Sequence, residues 1–333
     1  MGLKWNELSE DEKHALVRLY NADKRGIDYD RYNATPAGLD SQIRRYRYSL
    51  TNSPGNYASF DTAIDDTKRW KQTLHNLTNK NKFIQVMHLA DIHTPYHDED
   101  ALNLAYKIVE HVKPHVAIVG SDFADFALLS TFDIDPDTAE PEDQLVQFES
   151  YWNPHIHALD KAGAGALVFI VGNHEKRIIK YLAKQAPAFR KTIMSKFVDI
   201  IRCGGRVQWI GEVDRVTVGN TLVMHGNRYG VYPARGLLDD VGYQVNVMAG
   251  HNHKLSYFEK RGALYTVKGL VGGCLCELTP HYIRAGALRA KWQHGTCIAD
   301  IHTDSRAANF DNLEFVPDSD GRLIARLGFT TIR

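Results

Sequence analysis

Residues 171–177 read Val-Gly-Asn-His-Glu-Lys-Arg and follow directly on an apolar run, 166–171. A Gly-Asn pair after a strand is first of all a turn, because both residues tolerate positive φ. Its company changes that reading. The run 83–89 breaks into Asp91-Ile92-His93, and 115–119 breaks into Gly120-Ser121-Asp122, with Asp125 three residues on. Later apolar runs break into His225-Gly226 and into Gly250-His251-Asn252-His253. Five apolar segments thus end in Asp, Asn or His, and in open α/β sheets that carboxyl edge is where ligands bind.

The chemistry such groups favour is metal binding. Aspartate and histidine are oxygen and nitrogen ligands suited to Mn, Fe, Zn or Ni. Strand side chains alternate with a period of two, so Asp-x-His and His-x-His are expected to aim both members of a pair at one ion. Together the groups exceed what one octahedral ion needs. They suit two ions about 3.5–4 Å apart that share a bridging carboxylate. Each motif alone reads as a loop, but five in order at successive strand ends are not accidental.

The elements that must position these residues can be read around them. From Phe83 onward apolar runs alternate with amphipathic stretches at about 98–112, 143–161, 175–185 and 187–198. That alternation predicts parallel βαβ units. An Asp- and Pro-rich loop is expected at 133–143, and Asp98 is placed to cap the helix that follows it. After Arg206 the chain turns strand-rich, with candidates at 206–210, 213–218, 221–224, 245–249, 255–260, 263–268 and 296–302.

Composition sets the outer bounds. The 333 residues suit one large domain plus a small one, and 40 basic residues cancel 40 acidic ones, so no global field draws the chain to nucleic acid or membrane. The four cysteines are too few for a disulfide framework, and Cys274-x-Cys276 is too tight for a zinc knuckle, so reduced core thiols are expected. The N-terminus shows no apolar leader, and no apolar run approaches the roughly 18 residues of a membrane span. The expectation is a cytoplasmic protein.

The series Asp91-x-His93, Asp122-x-x-Asp125, Gly172-Asn173-His174-Glu175, His225-Gly226 and Gly250-His251-x-His253 resembles the calcineurin-like metallophosphoesterase superfamily over about residues 83–302. The stretches DIHTPYHDEDAL, SDFADF and GNHEKR look like its stand-alone phage and bacterial members. The resemblance implies an α/β (α+β) fold, a four-layer αββα sandwich, here with a small N-terminal helical domain. It also implies two divalent ions, Mn foremost, with Fe, Zn, Ni or Mg as alternatives. By that resemblance Asp91, His93 and His253 hold the first ion, Asn173, His225 and His251 the second, and Asp122 bridges them. His174 is then the histidine that protonates or stabilises the leaving oxygen, with Asp125 orienting its ring. Two positions depart from the pattern. Ser121 stands where a glycine is usual, and Asn227 stands where a second histidine is often found.

Arg177 is the candidate phosphate clamp, its fork suiting phosphate oxygens; the competing reading is a salt bridge to a neighbouring Asp or Glu on the same helix. His97 is expected either to line the pocket or to pack. Asn227, Arg228 and Tyr229 are candidate substrate contacts or plain loop residues. His155 and His157 are expected on the surface or in packing, and spacing assigns no role to His281 or His294. The expected activity is metal-dependent phosphoester hydrolysis, by a phosphodiesterase or nuclease acting on nucleic acid. The alternative is a phosphomonoesterase acting on nucleotides or phosphoproteins, although the Asp-Arg-Gly of protein phosphatases is absent and Phe126-Ala127 follow Asp125. A different class, a non-catalytic nucleic-acid-binding or assembly protein on the same fold, is disfavoured by the complete ligand set.

Residues 1–82 read as a small helical domain and linker, and 83–333 as the phosphoesterase domain. Ser9-x-x-Glu12 is a capping-box pattern, Thr35-Pro36 a helix start, 58–74 a third amphipathic stretch and 75–82 a polar linker. Arg44, Arg45 and Arg47 lie on the second helix, which gives a faint helix-turn-helix character and a route to nucleic acid. The unit is only slightly basic, with 14 Lys and Arg against 11 Asp and Glu. A packing cap or dimerisation element stands equally open.

Overall fold

Strands as uniformly apolar as VAIVG or ALVFI must be covered on both faces. They become β2 (Val116–Gly120) and β3 (Ala166–Ile170), which run parallel with β1 (Phe83–His88) and β4 (Val207–Trp209). In this computed structural model β10 (Gly295–His302) and β11 (Ala308–Glu314) extend the sheet antiparallel, in the order β11-β10-β1-β2-β3-β4. The structure describes residues 63–129, 144–263, 265–279, 291–305 and 307–333. Before them it describes Leu8, Ser9, Glu12, Lys13, Leu16, Tyr32, Leu39 and Ile43.

A second mixed sheet is built from β5 (Arg215–Val218), β6 (Thr221–Met224), β7 (Asn246–Ala249), β8 (Ser256–Arg261) and β9 (Thr266–Val271), in the order β5-β6-β7-β9-β8. Alternate residues of the same strands enter different cores. Val86, Ile118, Val168 and Ile170 pack with Val216, Val223, Met248 and Leu270 of the second sheet. Met87, Val119, Leu167 and Phe169 pack instead with α2 (Glu99–Val112), α3 (Gln144–Lys161) and α5 (Arg190–Arg202), among them Ile108, Trp152 and Phe197. The other face of the second sheet covers Leu237 and Leu238 of α6 (Pro233–Asp240). A small sheet of β12 (Val316–Pro317), β13 (Leu323–Leu327) and β14 (Thr330–Ile332) adds Ala325 and Ile332 to the helical core. No described helix is long and apolar enough to cross a membrane.

The chain divides into two compact units, residues 1–60 and 61–333. In the smaller, the capping box forms as expected: Ser9 N and Oγ both donate to Glu12 Oε2 at 2.9 Å, and Glu12 N returns a bond to Ser9 Oγ at 3.3 Å. Leu16, Leu39 and Ile43 are buried. The Thr35-Pro36 start, Arg44, Arg45 and Arg47, the 133–143 loop and His281 lie outside the described residues.

The stretch expected as a polar linker is corrected. Helix α1 (Ala63–Lys80) runs through most of it. The polar residues there occupy its exposed face, while Trp70, Leu74 and Leu77 join the core between the sheets. Asp66 ties the helix down, accepting from Arg202 Nε at 2.7 Å and from Trp209 N at 3.3 Å. Polarity alone marked a loop, but half of a surface helix is polar too.

Candidate metal centre

The predicted ligands converge where the two sheets present their strand ends, though not for the reason alternation suggests. β1 ends at His88, so Asp91 and His93 stand beyond it in a turn. Asp91 (φ 57°), His93 (54°), Ser121 (55°), Asp122 (67°), His251 (73°) and His253 (58°) all occupy the left-handed region. The expectation that a period of two aims each pair is therefore wrong. Each pair is aimed by two left-handed residues flanking one ordinary one, a conformation that costs a non-glycine residue of order 1–2 kcal/mol. Strain of that kind, gathered at one site, has to be held in place by its surroundings.

Two sets of donor atoms that could each hold an ion result. Asp91 Oδ1 lies 3.3 Å from His253 Nε2 and 3.9 Å from His93 Nε2, and the two histidine nitrogens are 3.2 Å apart. His225 Nε2 lies 2.8 Å from Asn173 Oδ1, 2.9 Å from His251 Nδ1 and 3.2 Å from Asp122 Oδ2. That same Asp122 oxygen is 4.0 Å from His93 Nε2, so it serves both sets. Donor atoms surrounding a divalent ion at about 2.0–2.2 Å stand about 2.8–3.6 Å apart. The donors fit an ion on chemical grounds as well. Asp91 Oδ1 is buried without a hydrogen-bond partner, and two imidazole lone pairs cannot face each other without a cation or proton between them.

The remaining atoms of the ligands are held by the chain. His251 N donates to Asp91 Oδ2, and His174 N donates to Asp122 Oδ1, each at 2.7 Å, which leaves one oxygen of each carboxylate for an ion. His93 Nδ1 contacts Asp125 Oδ2 at 3.2 Å, and His225 Nδ1 contacts Ser121 Oγ at 2.9 Å. Each contact turns the opposite nitrogen, Nε2, toward the centre. Gly172 is needed because a Cβ there would fall 2.0 Å from Asp122 Oδ1.

Glu175 braces the whole arrangement. It is fully buried at the start of α4 (Glu175–Lys184). Its Oε1 accepts from Phe123 N (2.8 Å) and Ala124 N (3.3 Å), and its Oε2 accepts from Gly172 N (2.7 Å) and Asp122 N (3.0 Å). One carboxylate thereby locks the strained loop after β2 to the turn after β3.

The electrostatics follow from crowded acids and imidazoles out of water. Burial opposes ionisation of Asp122, yet His225 and His174 beside it hold its carboxyl well below the usual range. Burial would also depress His253, but Asp91 outweighs it and pushes the ring up to about 9. Burial and the neighbouring His225 lower His251 to about 4. Burial lowers His174 as well, but Asp122 and Asp125 outweigh it and leave its pKa raised.

The other predicted residues are placed as follows. His174 Nδ1 donates to the backbone carbonyl of Asp125 at 2.7 Å, with the carboxylate farther away at 3.4 Å. Asp125 thus orients His174 mainly by its main chain and His93 by its side chain. Arg177 is ion-paired, with Nη1 on Asp125 O and Oδ1 (2.8 and 3.2 Å) and Nη2 3.1 Å from His174 Nε2. His97 engages Glu99 and stacks its edge on Tyr151. Asn227 is exposed, and Arg228 is tied to Asp240 on α6. His155 is packed, its ring against Phe123 and Trp152 with Nδ1 2.8 Å from Tyr106 Oη, while His157 is exposed.

Sequence reasoning missed four neighbours. The sequence marks Ser121 only as a departure from the family pattern and Glu175 only as part of a motif. Trp292, half-buried, brings its ring centroid to 4.1 Å from that of His253. Cys276 Sγ lies 3.9 Å from His253 Nδ1, so Cys274-x-Cys276 adjoins the centre even though its spacing is no zinc knuckle. An acid directly after Gly-Asn-His, at a helix start, was the one local signal available for Glu175.

The sequence profile of the calcineurin-like phosphoesterase family matches residues 84–263, more than half of the chain, a range that includes every candidate donor of the two sets. The chain belongs to that family. A comparison with curated proteins finds no match. The phosphoesterase is an enzyme whose buried Asp and His clusters suit a dinuclear metal site.

Proposed function

We propose that this phosphoesterase hydrolyses phosphodiesters with two divalent ions, manganese foremost, on a four-layer αββα sandwich. One observation carries the two-ion reading: Asp122 Oδ2 belongs to both ligand sets, 3.2 Å from His225 Nε2 and 4.0 Å from His93 Nε2. Asp91, His93, His253 and Asp122 would hold one ion, and Asp122, Asn173, His225 and His251 the other. When bound, such a pair supplies a hydrolytic nucleophile at neutral pH and Lewis acidity toward phosphoryl oxygens.

The chain's own residues orient the ester and move the proton. His174 stands outside both sets, with Nε2 3.8 Å from Asp122 Oδ2. Its Nδ1 hydrogen is committed to the Asp125 carbonyl, so Nε2, which here accepts from Arg177 Nη2 at 3.1 Å, is the nitrogen that would carry a proton to a leaving oxygen once that contact gives way. Arg177 Nη2 points at the same nitrogen, where an incoming phosphoryl oxygen would compete for it. The Arg177 charge is already met by Asp125, which suits a singly charged diester better than a dianionic monoester.

The test is a paired assay of manganese-loaded enzyme on p-nitrophenyl phosphate and bis(p-nitrophenyl) phosphate. The bis ester should turn over faster, and activity confined to the monoester would refute the diester reading. His174→Ala should slow turnover by roughly 10²–10⁴-fold with both metals retained. Loss of metal on that change would remove the role assigned to His174.

A further inference from the structure

Two aromatic rings stand at the metal centre that hydrolysis itself does not use, one at each ligand set. Tyr229 brings its ring centroid to 4.4 Å from that of His251, a donor of the second set, and remains 76% exposed. Trp292 is half-buried, with its centroid 4.1 Å from that of His253, a donor of the first set. Both meet their histidine at a steep angle, 60° and 69°, so the contact uses an edge and not the full face of the ring pair.

Neither ring is in place by accident of a floppy loop. The Tyr229 segment is anchored by Arg228, which binds Asp240, and by Asn252 Nδ2, which donates to Arg228 O at 2.9 Å. Asn252 is itself the residue between His251 and His253. The Trp292 segment is pinned to the same motif, since Gln293 N donates to His253 O and Cys274 N donates to Gln293 O, each at 2.9 Å. A tyrosine left mostly in water covers no core, so shielding the centre does not explain it. Val231 and Tyr232, both more than 70% exposed, continue the apolar rim beyond it. Lys254 follows His253 directly and Lys291 precedes Trp292 directly, which adds basic residues to the same two short segments.

We propose that Tyr229 and Trp292 are stacking platforms for the two bases on either side of the scissile phosphate, and that the substrate is a single-stranded nucleic acid. Aromatic faces accept any base, and basic side chains interleaved with them follow the phosphates, which is how single strands are bound without sequence preference. A duplex would keep its bases stacked on one another and out of reach of both rings. The inference rests on the diester reading above and narrows it to a substrate class.

The experiment compares kcat/KM of manganese-loaded enzyme on a thymidine decamer, a uridine decamer and an abasic decamer of equal charge, with methyl p-nitrophenyl phosphate as a base-free diester. Tyr229→Leu and Trp292→Leu keep apolar bulk but remove the π face. Each should lower the ratio of base-bearing to abasic kcat/KM by about tenfold, chiefly through KM, while Tyr229→Phe and Trp292→Phe keep the ratio. The thymidine and uridine arms decide between DNA and RNA as the source of the bases. Equal rates on abasic and base-bearing strands, or Leu variants with the unmodified ratio, would overturn the stacking role alone. No turnover of methyl p-nitrophenyl phosphate or of any decamer would overturn the diester reading beneath it.

Discussion

Replacing Glu175 with glutamine tests whether one buried carboxylate holds the metal loops together. Its two oxygens accept four main-chain N–H groups at 2.7–3.3 Å, two per oxygen. Burial and the Asp122 carboxylate push its pKa up, while the Asp122 and Gly172 N–H groups pull it back. The geometry decides for the ionised form, because every neighbour is a donor and a carboxyl proton would have nowhere to go. Glutamine keeps one oxygen but turns the other position into an NH₂ that faces two N–H groups. Two orphaned buried donors at about 1–3 kcal/mol each predict a loss of about 2–6 kcal/mol, against a total of about 5–15 kcal/mol for a typical domain. Urea unfolding in the presence of chelator should show a lower midpoint at unchanged m. Calorimetric titration with manganese should show weakened binding, because the strained Asp122 (φ 67°) loses its brace. A Gln variant within about 0.5 kcal/mol of the unmodified protein, with unchanged metal affinity, would show that Glu175 is protonated or that the loop holds itself.

Ser121→Gly should separate strain from ligation: it relieves a left-handed serine, raising stability by about 1 kcal/mol, yet lowers metal affinity about tenfold or more by freeing His225 Nδ1. Unfolding and metal titration on one sample check both signs. Gly172→Ala places a Cβ 2.0 Å from an Asp122 oxygen that His174 N already pins, so metal binding should fail and stability drop by about 1–3 kcal/mol or more in the same two assays. His155 packs in the helical core against Phe123 and Trp152, and burial holds it down to about 3. The unfolded chain protonates near 6.5, so the stability this residue contributes is complete above that pH and is lost as pH falls toward 3, at up to about 1.4 kcal/mol per pH unit. His155→Gln should flatten that part of the acid-unfolding curve.

The candidate donors that the structure brings together were legible in the sequence because their signal is local. An apolar strand that stops at Asp, Asn or His is written in consecutive residues, and five such stops in order single out Asp91, His93, Asp122, Asn173, His225, His251 and His253 as candidates. The central parallel strands were legible for the same reason, since continuous burial leaves a continuous apolar run. Tertiary structure alone decided how those residues are used. The left-handed backbone that aims them is held by partners on other elements, such as Glu175 at the start of α4, bonded to Phe123 N across 52 residues of sequence. Asp125 is divided between His93 and His174, and Arg177 is drawn to Asp125, by contacts that no periodicity records. Trp292 reaches His253 only because the chain returns through β10 to the edge of β1, and a lone tryptophan after a polar stretch carries no mark of that. Local physics selects the residue types, and long-range packing assigns their work.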